Sequence, residues 1–163
     1  MNPLRDAVLR TLYRGAYPLA IRYWRVRGTQ KRGVKCVVTR AGGGEVLLVR
    51  HTYGPETRWE LPGGGVKRRE EPAAAVRREA REELGFDADD WRFLGDLFER
   101  VDGKRDRLWC YETDLGSDRE LVLDRSEIAE ARWFDTGRLP ADAHRYVARV
   151  LALAARGRAR PTT

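Results

Sequence analysis

The chain is short of everything that marks a membrane span, a disulfide scaffold or a zinc module. No apolar run approaches the roughly 20 residues needed to cross a bilayer as a helix, and arginines interrupt the first segment where a secretory leader needs an apolar core. Two of the 163 residues are cysteine and two are histidine. Cys36 and Cys110 each sit alone in a β-rich run, so there is no zinc spacing, and both read as buried free thiols in a reducing, cytoplasmic setting. No segment repeats, which sets solenoids and propellers aside. Lysine is also scarce, supplying four of 32 basic residues.

What is present describes one ordinary domain. A chain of 163 residues, 42% of them hydrophobic, is long enough to bury close to 70% of its unfolded surface. The net charge of +7 is uneven. Residues 1–35 carry nine Lys/Arg against the single Asp6, residues 145–163 carry five Arg and no acid, and the body between them carries 18 basic and 24 acidic residues. The basicity therefore belongs to the two ends, and the body is mildly acidic, as a cation-binding site requires.

The densest pattern lies at residues 64–86, GGVKRREEPAAAVRREAREELGF. Pro72 suits a first helical turn, where its missing N–H goes unused, and Gly85 suits a C-terminal stop, so a helix is predicted over Pro72–Leu84. At about 100° per residue Glu79, Glu82 and Glu83 share one face, while Ala73, Val76, Ala80 and Leu84 form a neighbouring apolar stripe. Carboxylates so placed repel one another by a few tenths of a kcal/mol per pair. A hard divalent cation with oxygen ligands reverses that sign. Arg78 stands one turn before Glu82 and beside Glu79, where it can orient a ligand carboxylate. Gly63, Gly64 and Gly65 let backbone approach a metal or phosphate closely.

A lone Glu-x-x-Glu-Glu on a surface helix would read as a solvated face. Here Gly64, Glu70, Arg78-Glu79, Glu82-Glu83 and Gly85 hold a fixed register across a loop and a helix. That pattern resembles, at every charged and glycine position, the signature box of the Nudix hydrolases. The resemblance implies an α/β/α sandwich with a mixed β-sheet. It also implies hydrolysis of a pyrophosphate bond, in a nucleoside diphosphate linked to another group or a nucleoside triphosphate, by water attacking phosphorus with Mg²⁺ or Mn²⁺. On the same footing Glu79, Glu82 and Glu83 are the metal ligands, with the Gly63 carbonyl as a fourth, while Gly64 faces substrate and Glu70 holds the loop to the helix N-terminus. Arg50 takes the position at which Nudix proteins commonly face the substrate. The general base in this family is a box glutamate or an acid on a later loop; of Asp118, Glu120, Asp124 and Glu127, the choice here is Glu127.

Outside the box the order of elements is collinear with that fold. Residues 34–39 and 45–50 are β-rich and joined by the hairpin signal Ala41-Gly-Gly-Gly44; 93–100 and 105–113 meet through Asp102-Gly103. Short strands are predicted at 119–123 and 131–134, and a closing helix at 142–155. The domain is thus drawn as 34–156, with a tail at 157–163 and a basic amphipathic segment at 1–33. That segment suits an arm exchanged in a homodimer, contact with an anionic membrane surface, or contact with RNA phosphates through its arginines, Tyr23 and Trp24.

Substrate markers are sparse. There is no proline between Pro72 and Pro140 and no tyrosine after the box before Tyr111, so the usual signs of ADP-ribose and dinucleoside polyphosphate hydrolases are missing. Trp59, Trp109 and Tyr53 could stack on a base, although tryptophans in such runs are more often core. Three other functions fit the resemblance: a non-catalytic nucleotide-binding or regulatory module, a 5′-end RNA pyrophosphohydrolase, and a prenyl diphosphate isomerase using Cys36. The intact acidic set argues against the first, and the strict box against the last.

Overall fold

The computed structural model describes residues 30–52, 58–101, 104–116 and 119–159. The expected helices before residue 30, Tyr53, Asp118 and the last four residues lie outside these. Among the described residues five strands and two α-helices follow one another: β1 (Gln30–Arg40), β2 (Glu45–His51), α1 (Pro72–Leu84), β3 (Arg92–Val101), β4 (Lys104–Asp114), β5 (Ile128–Asp135) and α2 (Tyr146–Arg158). They form one mixed sheet, ordered β3-β4-β1-β2-β5, in which β1 and β4 run parallel and the other neighbours antiparallel.

Alternation along the strands sorts two apolar layers onto the two sheet faces. Val34, Cys36, Val38, Leu47 and Val49 pack under α1 with Ala75, Val76, Ala80 and Leu84; Val37, Val46, Leu48, Trp59 and Leu61 pack under α2 with Tyr146, Val147, Val150 and Leu151. Burying Val76 and Leu84 completely contributes about 2 kcal/mol each, and that fixes which face of α1 meets the sheet. The result is the expected α/β/α sandwich.

One arrangement positions everything that follows. β1 and β2 are paired only at the hairpin, Thr39↔Val46 and Arg40↔Glu45, and then diverge. Residues 60–66 fill the gap: Glu60 exchanges backbone hydrogen bonds with Val49, while Cys36 and Val34 donate to the Pro62 and Gly64 carbonyls and Val66 donates to Arg32. The box loop is thereby clamped between two strands that are neighbours in sequence.

Four expectations need correction. Residues 119–123 are not a strand: Val122 and Asp124 donate their N–H groups to the Leu84 and Glu83 carbonyls, so this stretch caps the C-terminus of α1 instead of extending the sheet. The closing helix starts at Tyr146, because Ala143 bridges to Trp59 and His144 donates to the Trp59 carbonyl. It also runs on to Arg158, whose guanidinium pairs with Glu112, so part of the predicted tail is helix. Ala73 is exposed and Ala75 takes the buried place.

Candidate active site

The second half of the box folds as its sequence dictates. Pro72 occupies the first turn of α1, the Glu71 carbonyl accepts from Ala74 and Ala75, and Gly85 ends the helix at φ 71°, where a Cβ would meet the Val122 carbonyl oxygen at 2.5 Å. The loop before it is tied by Glu70, which accepts from the Lys67 N–H at 2.7 Å. Arg69, just ahead, sits in the left-handed region at φ 66°, a conformation glycine adopts without penalty.

Arg78 is the hub of the acidic face. Its guanidinium donates to both oxygens of Glu70 at 2.9 and 3.0 Å, to the Gly65 carbonyl at 2.8 Å, and to Glu79 Oε1 and Glu82 Oε2 at 2.8 Å each. The fork of five donors matches this set better than an ammonium would. It holds the Glu70 carboxyl down at about 2.

Packing face and acidic face are not separate. Glu79 and Glu83 are buried, at 7% and 2% exposure, while the Glu82 side chain is 54% exposed. Burial raises the Glu79 carboxyl against the pull of Arg78. Burial also pushes Glu83 up to about 8, a rise resisted by the Gly63 N–H and reinforced by Glu79 and Glu127. Gly63 N–H donates to Glu83 Oε2 at 2.8 Å. Gly64 lies so close to Glu79 that a Cβ there would stand 2.6 Å from Oε1. The structure therefore brings Gly63, Gly64, Arg78, Glu79, Glu82, Glu83 and Glu127 to one place.

Two expected substrate contacts sit elsewhere in the fold. Arg50 donates to Glu130 Oε2 at 3.2 Å and Asp142 Oδ2 at 2.6 Å, with its guanidinium 4.3 Å from the Trp59 ring centroid. Trp59 is 3% exposed and meets Phe134 edge to face. Cys36 lies fully buried under α1, its Sγ directed at the Val76 carbonyl and its thiol pushed well up by burial, so it offers no thiolate.

Sequence reasoning missed three features near the box. His51 Nδ1 stands 4.0 Å from Glu83 Oε1, and burial followed by Lys35 holds its imidazole down to about 4, so a neutral imidazole faces the Glu83 carboxyl. Lys35 is buried in mid-strand beside Glu60. Arg32 and Arg107, both exposed, flank the Trp109 ring at 5.2 and 4.6 Å; the Arg32 carbonyl on β1 accepts the Val66 N–H of the box loop, and Arg107 lies one strand further away on β4. The signal for Lys35 was its place inside the apolar run Val-Lys-Cys-Val-Val; the arginine pair needs the parallel register Arg32↔Arg107 and could not be read locally.

Among the described residues no three His, Cys, Asp or Glu side chains are assembled to hold a metal. Arg78 draws Glu79 and Glu82 to itself and Glu83 turns to Gly63. The donor chemistry nevertheless fits a hard divalent ion: every donor is an oxygen, three of them are carboxylates, and the two that are buried, Glu79 and Glu83, are both raised by that burial.

A family model of the NUDIX domain matches residues 29–153. The chain is 35% identical over 118 residues to human diphosphoinositol polyphosphate phosphohydrolase 3-beta, covering 72% of this chain and 71% of the relative. It is 34% identical over 120 residues to the RNA pyrophosphohydrolase of Acidiphilium cryptum (strain JF-5), covering 60% and 71% respectively. The crystal structure of a MutT NUDIX hydrolase from Burkholderia pseudomallei superposes with a TM-score of 0.66 at 25% identity, over 77% of this chain and 98% of that one.

Proposed function

We propose, starting from the fact that the chain belongs to the Nudix hydrolase family, how its residues divide the work of hydrolysing a pyrophosphate bond. The observation that carries the assignment is the pair Glu79 and Glu83, buried on one face of α1 against Gly63 and Gly64, with Glu82 one position away. Glu79, Glu82, Glu83 and the Gly63 carbonyl would hold Mg²⁺ or Mn²⁺. When bound, such an ion neutralises phosphate oxygens and acidifies water. Arg78 orients Glu79 and Glu82 and offsets their repulsion. Glu127, near enough to Glu83 to raise it, accepts the proton of the attacking water at a carboxylate oxygen. The two free, buried thiols fit a cytoplasmic setting, and no helix among the described residues is long and apolar enough to cross a membrane.

The substrate reading follows from the cations around the site. Arg50 is held between Glu130 and Asp142, whereas Lys67, Arg68 and Arg69 are exposed on the box loop and Arg32 and Arg107 are exposed on the adjoining strands, Lys67 standing 3.9 Å from Glu82 and Arg107 donating to Asp96 at 2.5 Å. A substrate rich in phosphate beyond the scissile bond matches them, and the names of the two relatives are of that kind. The test is phosphate and pyrophosphate release from nucleoside triphosphates, dinucleoside polyphosphates, nucleotide sugars, diphosphoinositol polyphosphates and triphosphorylated RNA. Wild type, Glu83→Gln and Arg107→Ala are compared with Mg²⁺ or Mn²⁺. Turnover is expected to vanish in Glu83→Gln, and Arg107→Ala is expected to raise KM roughly tenfold with kcat kept. Tight nucleotide binding with no turnover of any compound would instead make the protein a binding module.

A further inference from the structure

Lys35 is costly where it stands. It is 8% exposed in the middle of β1, between Val34 and Cys36, and burying an ammonium costs several kcal/mol unless it is paired. An aliphatic residue would pack against Leu61 and Tyr146 without that cost. The structure pairs it instead: Lys35 Nζ donates to the Leu61 carbonyl at 3.1 Å, lies 3.7 Å from Glu60 Oε2, and sits 5.1 Å from the Tyr146 ring centroid. Tyr146 Oη donates to the same Glu60 oxygen at 3.1 Å. Burial pulls the lysine toward neutrality, but its partners more than reverse this and the ammonium stays charged.

The residues it grips lead directly to the site. Leu61 is followed by Pro62, whose carbonyl accepts from the Cys36 N–H at 2.9 Å, and by Gly63, whose N–H donates to Glu83 Oε2 at 2.8 Å. Glu60 is fixed on its other side by Val49 through two backbone bonds of 2.9 Å. A single side chain reaching from the α2 face of the sheet thus grips the short segment that aims Glu83 on the α1 face.

We propose that Lys35 is a positioning residue of the hydrolytic site, its ammonium holding the Leu61 carbonyl and Glu60 carboxylate so that the Gly63 N–H meets Glu83. Its consequence for metal rests on the reading of Glu83 as a ligand given above. A merely structural role would be to keep Glu60 company in the interior, and the two roles separate in a double variant. Lys35→Met strands the Glu60 carboxylate and lowers Tm; Lys35→Met with Glu60→Gln removes both charges and restores Tm.

Three quantities are read on wild type and both variants: hydrogen exchange of the Gly63 amide in the metal-free protein, Mn²⁺ affinity from the electron paramagnetic resonance signal of the free ion, and kcat against KM. In both variants Gly63 exchange is expected to rise at least about tenfold. Mn²⁺ affinity is expected to fall about tenfold, as for other residues that orient a ligand, and kcat to fall with KM within about twofold. A double variant that regains wild-type Gly63 protection, Mn²⁺ affinity and kcat along with Tm overturns the proposal. So does a double variant that fails to fold, since Lys35 would then act on stability alone. Unchanged Mn²⁺ affinity in Glu83→Gln would strike only the ligand assignment, because the Gly63 amide is read without metal.

Discussion

Alanine placed in turn at Gly63, Gly64 and Gly65 should produce three different proteins. At Gly63 the backbone is at φ 125° and a Cβ would lie 2.3 Å from the Val34 carbonyl oxygen and 3.1 Å from Lys35 Cα. Both neighbours are backbone, so relief requires the loop to leave β1 by at least 0.7 Å, the shortfall from the 3.0 Å that real Cβ contacts respect. That movement weakens the 2.9 Å bonds Cys36 N–H to Pro62 and Val34 N–H to Gly64. The backbone strain costs about 1–3 kcal/mol and each weakened bond about 1 kcal/mol, so Gly63→Ala should lose about 3–5 kcal/mol. In a domain of this size that lowers Tm by roughly 10 °C. At Gly64 the obstacle is the far end of the Glu79 side chain, at 2.6 Å, which can swing aside. Gly64→Ala should therefore cost less than about 1 kcal/mol in stability while lowering metal-dependent turnover at least tenfold or so through a displaced Glu79. At Gly65 nothing lies within 4 Å, and Gly65→Ala should match wild type in both respects. Urea midpoints with initial rates on the identified substrate decide the matter. Gly63→Ala within about 1 kcal/mol of wild type, or Gly64→Ala with full activity, would refute the steric reasoning.

Arg69→Gly relieves a left-handed residue at φ 66°; a strain of about 1–2 kcal/mol, less the entropy glycine adds to the unfolded chain, leaves the variant about 0.5–1 kcal/mol more stable. A lower urea midpoint would show that the Arg69 side chain matters more than its backbone. Glu70→Gln tests the Arg78 hub through pH. The Glu70 carboxyl is held down at about 2, below its ordinary 4.5, so its contribution is complete above pH 4.5 and is lost as pH falls toward 2. Between pH 6 and pH 3 wild type should lose about 1–2 kcal/mol more than Glu70→Gln, a figure reduced for partial exposure. Equal losses would mean that Arg78 does not hold Glu70 in solution.

Much of the site was legible because it is local. The bounds of α1, Pro72 to Leu84, follow from a proline and a glycine, and the common face of Glu79, Glu82 and Glu83 follows from the helical period alone. The burial of Glu79 and Glu83 did not follow, since helical spacing says which residues share a face but not how far a loop from elsewhere will cover them. Residues 119–123 have strand-like composition, yet the open carbonyls at the end of α1 claim their N–H groups before a sheet edge can. Arg50 looked like a free strand-end cation because Asp142, its partner at 2.6 Å, stands 92 residues away. Lys35 was visible only as an oddity in an apolar run; its meaning depends on Glu60 and Tyr146, which a linear reading does not bring together.

The insertion of residues 60–66 between β1 and β2 also sets an order of assembly. The slot they occupy is bounded by β1, whose other side is completed only when Gln30 finds Arg105 and Thr39 finds Asp114. Each of those pairings closes a loop of about 75 residues and is correspondingly slow. A 23-residue peptide of the box could form its helix transiently, but it has no slot to enter, and Glu83 would find no fixed N–H. The acidic face therefore matures with the whole sheet, and a nascent chain holds no preformed cation trap while it is still being made.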